Sequence, residues 1–413
     1  MSCRKLQIKG EHMIYQLTSD DYERVRPLFK ELEWNLITIA AIERTCPGDI
    51  YVDDVETPKT ALMVSPEGYY LAGYEGNDEF NRELVTLVDT KIIPEKMKEG
   101  EENISLNYYP PAWEDKIEVI LKDKFPVKVH GYYYKFDTLK IDWRKRVPSD
   151  FCMVHIDELF LRRIDLKNVD KVTKWVNSNW NSRESFLKNG VGFCLLHNNT
   201  IVSWCLTDCV SDTKCEIGIA TDEDYRRCGF AAATVAATVE YCLSQGFTHI
   251  GWHTGSTNVG SQKTAEKVGF KKVLKDTYHF FWFYPVDNFI EHGYFSWLEG
   301  NFKESAEWYE RAIAVAESGD YDSFQLHRHT LQSVYYYAAC SWALAGEKDA
   351  SFRNLRKAAA GIKDTRQFAE GVKGSEHLKS LHETKEWEKL IEDLEKTNLQ
   401  MNLKRRGKGT VSI

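Results

Sequence analysis

The stretch that decides the fold is residues 216–231, EIGIATDEDYRRCGFA. It begins with a strand-like run at Glu216–Ala220, turns through a polar loop, and enters an alanine-rich helix. The first turn of a helix leaves backbone N–H groups unpaired, and the helix dipole favours negative charge there. Gly229 lets the backbone approach a ligand closely, and the pair Arg226-Arg227 adds positive charge. The sequence therefore predicts a pyrophosphate-binding loop.

The segment around this loop, residues 150–285, alternates strands and helices. Asn198-Asn199-Thr200 separates two alternating runs and predicts a hairpin. A strand is predicted at Glu158–Ile164, and Asn258 opens a helix that Gly269 closes. This alternation predicts an α/β or α+β layered fold, in which helices flank a mixed β-sheet.

A similar order of elements occurs earlier, in residues 13–142. Asp20–Ile42 has helical spacing, and strand-like runs flank the turn Pro66-Glu67-Gly68. This segment has no Arg-x-x-Gly-x-Ala loop, so we interpret it as a degenerate copy of the domain that follows, lining a cleft for a second substrate. Residues 1–12 are expected to be an N-terminal extension.

Residues 286–395 have a purely helical pattern with an internal repeat. Aligning Gly300 with Gly346 superimposes three further pairs of small residues, which are Gly293 on Ala339, Ser305 on Ser351 and Ala312 on Ala358. Small residues at these points would let paired helices approach closely, and the pattern resembles tetratricopeptide (TPR) repeats. The spacing predicts an insertion near Ser318–Phe324. Residues 396–413 are expected to be a basic, solvated tail.

Composition excludes several classes of protein. The net charge of -8 argues against general nucleic-acid binding, which needs a basic face. No apolar run reaches the roughly 20 residues of a membrane span, and the N-terminus lacks the apolar core of a signal peptide. The cysteines form no metal-binding pattern, because Cys205 and Cys209 lack a matching second pair. We therefore expect reduced thiols, no metal and a cytoplasmic location.

The loop and its context resemble the GNAT superfamily of N-acetyltransferases, whose loop reads Gln/Arg-x-x-Gly-x-Gly/Ala between a strand and a long helix. The resemblance covers roughly residues 150–285. Within this superfamily, the chain further resembles the two-domain bacterial group that includes zwittermicin A resistance acetyltransferases. It is carried by Trp180, Phe186–Gly190, Glu216–Ile219, Asn258–Phe270 and, at the start of the first domain, Tyr51–Asp54. The resemblance implies tandem GNAT-like domains (13–142 and 150–285) ahead of the TPR-like domain (286–395).

The resemblance implies that acetyl-CoA is the cofactor. Its binding residues would come from the strand, the loop and the next helix: Ile217, Gly218, Ile219, Thr221, Arg226, Arg227, Cys228, Gly229, Phe230, Ala231, Asn258 and Ser261. Ile219 and Thr221 would pair through their backbone with the pantetheine amides. Asn258 is explained equally simply as a helix cap.

In GNAT enzymes an amine attacks the thioester directly, so a base must take its proton. Glu216, on the strand before the loop, is the expected base, with a surface strand carboxylate as the alternative. His253 on the next strand is a second candidate base, unless it is a structural histidine. The family often protonates the leaving thiol with a tyrosine where this chain has Ala265. Tyr278, or Ser261 through water, is therefore the candidate acid, and packing is the alternative for Tyr278.

Three tryptophans, Trp180, Trp204 and Trp252, are candidates for the cleft that binds the acceptor, with core packing as the alternative. The predicted function is transfer of an acetyl or short acyl group to an amine, expected to belong to a small molecule. One rival is an acyl-CoA-binding scaffold that has lost catalysis, favoured by the missing tyrosine at Ala265. The other is a protein acetyltransferase that reaches its substrate through the helical repeats.

Overall fold

The structure, a computed structural model, describes residues 14–318, 329–362 and 364–407. The chain divides into two compact units. One holds the residues before 123 together with residues 128–280, and the other holds residues 123–127 and those from 281 onward. The predicted extension at residues 1–12 and most of the predicted insertion near 318–324 lie outside the described residues. No helix in the described part of the chain is long and apolar enough to cross a membrane.

Twelve strands of the described residues form one mixed sheet in the first unit, in the order β1-β2-β3-β4-β5-β12-β6-β11-β10-β9-β8-β7. Their bounds are β1 Tyr15–Gln16, β2 Asp49–Val52, β3 Thr60–Ser65, β4 Gly68–Gly73, β5 Asn103–Tyr109, β6 Val127–Phe136, β7 Phe151–His155, β8 Gly192–His197, β9 Thr200–Ser211, β10 Lys214–Thr221, β11 His249–Gly255 and β12 Phe270–Trp282. The predicted α/β class with a mixed sheet is confirmed.

The helices lie between these strands and, in the second unit, after them. Their bounds are α1 Arg26–Phe29, α2 Leu36–Ile42, α3 Asp78–Leu87, α4 Ile93–Glu99, α5 Trp113–Ile120, α6 Glu158–Leu161, α7 Val169–Asn179, α8 Arg183–Asn189, α9 Phe230–Ser244, α10 Val259–Val268, α11 Pro285–Leu298, α12 Phe302–Ser318, α13 Leu331–Leu344, α14 Lys348–Ala360, α15 Thr365–Lys373 and α16 Lys385–Gly407.

The two halves of the sheet repeat one arrangement. Strands β2, β3 and β4 are antiparallel and a helical crossover leads to β5, which is parallel to β4. Strands β8, β9 and β10 are likewise antiparallel, and the crossover through α9 leads to β11, which is parallel to β10. The order of elements that the sequence suggested for residues 13–142 is therefore present in the structure.

The halves are joined by exchanged strands. Strand β6 precedes the second half in the chain, yet it pairs antiparallel with β11, with Gly255 opposite Gly131. Strand β12 is the last strand along the chain, and it lies between β5 and β6 in the sheet. Gly131 allows this packing, because a Cβ there would stand 3.2 Å from the ring of Tyr278 on β12. Strands from both halves are therefore neighbours at the centre of one continuous sheet.

Two predictions of local structure were wrong. The strand predicted at Glu158–Ile164 is instead helix α6, because Asp157 caps it by accepting from the N–H of Phe160 at 2.7 Å. The strand lies earlier, at β7. The helix predicted for Asp20–Ile42 is broken into short 3₁₀ and α segments, and the extended backbone of Asn35 separates the last of them.

The second unit contains helical hairpins with matched contacts. The Ser305 hydroxyl donates to the carbonyl of Gly293 at 2.7 Å, and the Ser351 hydroxyl donates to the carbonyl of Ala339 at 2.7 Å. Both serines are fully buried. The residue pairs aligned in the sequence therefore occupy equivalent positions. The tail predicted from residue 396 is helical as far as Gly407, since α16 continues to that residue.

Candidate active site

Strands β10 and β11 separate in the middle of the sheet. They pair only from Lys214 to Glu216, opposite His249 to Gly251. A register shift against β9 follows between Glu216 and Ile217, while β10 remains paired with β9 as far as Thr221. Within the described pairing, the backbone of β10 beyond Glu216 therefore has an edge that β11 does not cover. Ile219 and Thr221 lie on this part of the strand.

The loop after β10 adopts a conformation that suits glycine. Gly229 has φ of 85° and Arg227 has φ of 65°, both in the left-handed region. Helix α9 begins at Phe230, and its first turn contains no acidic residue. The corresponding helix of the first half, α3, begins with Asp78 and Glu79, whose carboxylates would repel a phosphate. Of these two helices, only α9, in the second half of the sheet, therefore has a first turn that is free of carboxylates and suited to a phosphate.

A lysine that the sequence analysis did not single out lies beside this loop. A Cβ placed on Gly229 would stand 3.9 Å from the ammonium of Lys267, which belongs to α10. No hydrogen bond or ion pair engages this ammonium among the described residues. The exposed thiol of Cys228 lies 3.6 Å from the carbonyl of Arg226. Lys267 thus adds positive charge to that of the two loop arginines.

Three of the predicted cofactor residues have structural roles. Asn258 caps α10 by accepting from the N–H of Ser261 at 3.1 Å, and Ser261 accepts from the indole N–H of Trp252 at 3.0 Å. A Cβ on Gly218 would stand 2.3 Å from the ring of Trp175 and 2.6 Å from Asp208. Gly218 is therefore needed to make room for these two side chains.

A cavity of about 170 Å³ opens at the centre of the sheet. Its lining comes from both halves: Asn35, Glu67, Tyr70, Ser105, Asn107, Gly131, Tyr132, Glu216, His253, Thr254, Gly255, Asp276 and Tyr278. Three of the four predicted catalytic residues, Glu216, His253 and Tyr278, therefore meet in one place. Ser261 is not among the lining residues.

Several contacts fix the position of the Glu216 side chain. It is only 5% exposed, and its Oε1 accepts from the backbone N–H of Leu36 at 2.8 Å. His253 Nε2 lies 3.3 Å from the same oxygen, in an ion-pair contact. Gly251, opposite Glu216 in β11, leaves the space that the Glu216 side chain fills, since a Cβ there would stand 2.8 Å from Glu216 Cγ. The alternative of a surface carboxylate does not hold for Glu216.

His253 lies between aromatic rings and carboxylates. Its ring centroid is 4.7 Å from that of Tyr133 and 5.5 Å from that of Trp34. Burial alone would lower the pKa of His253, but Glu216 and then Glu67 and Asp276 outweigh burial, so the pKa is raised. The imidazolium form is therefore favoured.

A second carboxylate on the cavity wall comes from the first half of the sheet. Glu67 lies in the turn between β3 and β4, and its Oε1 accepts from Asn179 at 2.7 Å. The same Asn179 amide donates to Asp208 at 3.1 Å, and Trp175 donates to Asp208 at 2.6 Å. Although part of Glu67 is exposed, the protein atoms around its carboxyl group desolvate it, and this desolvation, followed by the charge of Glu216, raises the pKa of Glu67. Burial, and then Glu67, raise the pKa of Asp208 well above its usual range.

Strand β12 contributes the third carboxylate and a phenol. Burial raises the pKa of Asp276 to about 6. Burial, followed by the charge of Asp276, raises the pKa of Tyr278. The Tyr278 phenol therefore keeps its proton at neutral pH. Ala265, where the family often has a tyrosine, is fully buried in the core, whereas Tyr278 lines the cavity from β12, together with Tyr70 and Tyr132.

The three candidate tryptophans lie in the apolar core and not in the cavity. Trp180 and Trp252 are each 2% exposed and Trp204 is 5% exposed, all within one core cluster. Trp180 donates to the carbonyl of Thr207 at 3.0 Å and packs edge-on against Phe186. The expectation that these three residues line the acceptor cleft is therefore corrected, because their rings fill the space between sheet and helices.

Several lining residues were missed by the sequence analysis. Glu67, Tyr70 and Asn107 belong to the first half, and Asp276 belongs to β12. The signal at Glu67 was only that of a turn, and nothing local to it indicates that it faces Glu216. Among the described residues, no group of three or more His, Cys, Asp or Glu side chains is placed to hold a metal ion.

Comparison with known proteins identifies the family. A GNAT acetyltransferase family model matches residues 26–281, more than half of the chain. An uncharacterized N-acetyltransferase of Bacillus subtilis, YdfB, is 24% identical over 269 residues, which cover 65% of this chain and 98% of that protein. A GCN5-related N-acetyltransferase-like protein from Streptococcus suis is 27% identical, with a TM-score of 0.49, over 64% of this chain and 99% of that one.

A GCN5-related N-acetyltransferase from Sphaerobacter thermophilus is 10% identical, with a TM-score of 0.44, over 67% of this chain and 97% of that one. The family model spans the sheet from α1 to β12 and includes the loop at Gly229. On the strength of that match, the chain belongs to the GNAT acetyltransferase family.

Proposed function

We propose that this acetyltransferase moves an acetyl group from acetyl-CoA to an amine of a small molecule, with Glu216, beside His253, as the proton acceptor. The observation that carries the proposal is the meeting of Glu216, His253 and Tyr278 in one cavity, at the point where β10 and β11 separate. A base and an acid thus face the same space, as acyl transfer to an amine requires.

The loop has the features that a CoA pyrophosphate needs. The left-handed backbone at Gly229, an α9 first turn without carboxylates, and the nearby Lys267 all fit a doubly charged phosphate group. Arg226 and Arg227 would add charge, and the uncovered edge of β10 at Ile219 and Thr221 would bind the pantetheine arm. When bound there, acetyl-CoA supplies the activated acetyl group.

The residues of the cavity would manage the protons of the reaction. The acceptor enters as an ammonium, and Glu216 takes one proton so that the nitrogen lone pair is free, while His253 stands beside the carboxylate. The new C–N bond forms as the C–S bond breaks, and the thiolate leaves with the electron pair. A second proton remains on the nitrogen and is lost from the product. Tyr278 would protonate the sulfur.

A pair of pH–rate profiles tests the role of Glu216. Glu216→Gln keeps the shape of the side chain but cannot take a proton, so kcat should fall by roughly 10²-fold or more while CoA affinity stays near that of wild type. The acidic limb of the profile should disappear. The matched control is Glu31→Gln, which changes an exposed carboxylate outside the cavity and should leave both profiles alike.

Activity measurements also distinguish this function from the two alternatives, an acyl-CoA-binding scaffold and a protein acetyltransferase. An unchanged kcat and an unchanged acidic limb in Glu216→Gln would remove this residue from the mechanism. Absence of thiol release with every amine in a panel, in a protein that binds acetyl-CoA, would support the scaffold. Turnover of peptide lysines alone, lost when residues from 286 onward are blocked by a binding antibody, would support the protein acetyltransferase.

A further inference from the structure

The cavity that holds Glu216 and His253 has an unbalanced charge. Its described lining contains three carboxylates, Glu67, Glu216 and Asp276, and a single basic side chain, His253. With all four groups ionised, the wall carries two more negative charges than positive ones. Since a charge in such a space is stabilised by an opposite charge, the lining favours a ligand with two positive charges.

The three carboxylates occupy separate walls. Glu67 stands in the turn between β3 and β4, Glu216 on β10, and Asp276 on β12. With His253 ionised, one amino group at Glu216 would still leave one negative charge of the wall uncompensated. A compact ligand with a second ammonium group at a distance from the first would therefore compensate more of the wall than a monoamine.

An amide side chain in the wall also lacks a partner. Asn107 on β5 is only 7% exposed and lines the cavity, and no side chain or backbone group of the described residues makes a hydrogen bond with its amide. Because this amide faces the cavity, it is available to hydrogen-bond a ligand group there. A Cβ on Gly68, the residue after Glu67, would stand 3.5 Å from Asn107 Nδ2. Asn107 and Glu67 thus belong to the same side of the cavity.

We propose that the acceptor is a short aliphatic diamine, with one amino group at Glu216 and the second ammonium bound by Glu67 and the Asn107 carbonyl. This inference rests on the proposed acyl transfer. The cavity of about 170 Å³ has the volume of roughly six waters, which suits a chain such as 1,4-diaminobutane. The three carboxylates come from separate elements, so each ammonium of an extended diamine can meet a different carboxylate.

Rates of thiol release by the full chain with acetyl-CoA test the proposal on three amines of equal length. We expect kcat/KM for 1,4-diaminobutane to exceed that for butylamine by roughly 10-fold or more, because a charge-assisted hydrogen bond is added. The amino acid 4-aminobutanoate should be the poorest, since its carboxylate would meet Glu67.

Substitution of the second carboxylate should reduce this preference. Glu67→Gln should lower the ratio of kcat/KM between the diamine and butylamine roughly 10-fold, whereas Glu31→Gln, an exposed control, should leave the ratio unchanged. Asp276→Asn provides a second variant should Glu67→Gln fail to fold, and it too should lower the ratio.

Two different failures can be told apart. Equal rates with the diamine and butylamine would overturn the diamine proposal and keep acyl transfer. If no amine is turned over, calorimetry of the CoA-bound protein decides: binding of 1,4-diaminobutane, and not of butylamine, keeps the diamine site and overturns the acyl-transfer proposal. Absence of diamine binding would overturn the site as well.

Discussion

The position of the Glu216 carboxylate should depend on the absence of a side chain at Gly251. In Gly251→Ala the new Cβ would stand 2.8 Å from Glu216 Cγ and 2.8 Å from Tyr133 Oη. Ordinary contact begins at 3.4 Å, so each group must retreat by about 0.6 Å. Neither group moves freely, because Glu216 is bonded to the N–H of Leu36 and the Tyr133 hydroxyl is hydrogen-bonded to His249.

A shift of this size should lower both the catalytic rate and the stability of the protein. Misplacement of a catalytic group by about 1 Å lowers rates by about 10²-fold, so we expect kcat of Gly251→Ala to fall roughly 10- to 100-fold. Overpacking should lower the free energy of unfolding by about 1–3 kcal/mol. CoA affinity should stay near that of wild type, because the new Cβ touches no residue of the loop after β10.

The assay is initial-rate thiol release with a confirmed acceptor, together with calorimetry of CoA and thermal unfolding. The control is Gly371→Ala in α15, where a Cβ would meet no atom within 4 Å and the helix should gain about 0.5–1 kcal/mol. Wild-type kcat in a folded Gly251→Ala variant would refute the reasoning, since it would mean that the carboxylate position does not limit the rate.

Three further predictions follow from other parts of the chain. Gly229→Glu should abolish CoA binding in a folded protein, because φ of 85° is strained for a side chain and a carboxylate would face the pyrophosphate; unchanged CoA affinity by calorimetry would contradict it. Ser305→Ala and Ser351→Ala should each cost about 1 kcal/mol, measured as lower Tm, since each removes one buried hydrogen bond between paired helices; two unshifted melting curves would argue against the matched contacts. Asp276, with a pKa of about 6 against an ordinary 3.8, keeps its proton when folded but loses it when unfolded, so this group destabilises the fold as pH rises from 4 to 6. The Tm of Asp276→Asn relative to wild type should therefore increase over that range, and a constant difference would show that Asp276 titrates normally.

Local features of the sequence determined much of the fold. Helix α9 begins and ends where its alanine-rich pattern does, and the hairpin at Asn198-Asn199-Thr200 forms the turn between β8 and β9. The loop conformation at Gly229 and the cap at Asn258 depend on a few neighbouring residues. Such features are encoded within one turn of chain, where backbone sterics and hydrogen bonding act without help from distant segments.

Two matched helix contacts could also be predicted from the sequence, because small residues recur at these points of close approach. Ser305 and Ser351 were aligned from sequence alone, and each makes the same contact in its own hairpin. By contrast, the short helix α6 was mistaken for a strand. Its apolar residues are too few to show a period, and the cap at Asp157 decides between the two structures.

Only the tertiary structure decided which charges share the cavity. Glu67, Glu216 and Asp276 come from distant parts of the chain, and they meet because β6 and β12 are exchanged between the halves of one sheet. Likewise, the core position of the three tryptophans depends on which face of a strand or helix is covered. Strand register and pairing over long separations fix these positions, and no pattern within a single segment specifies its distant partner.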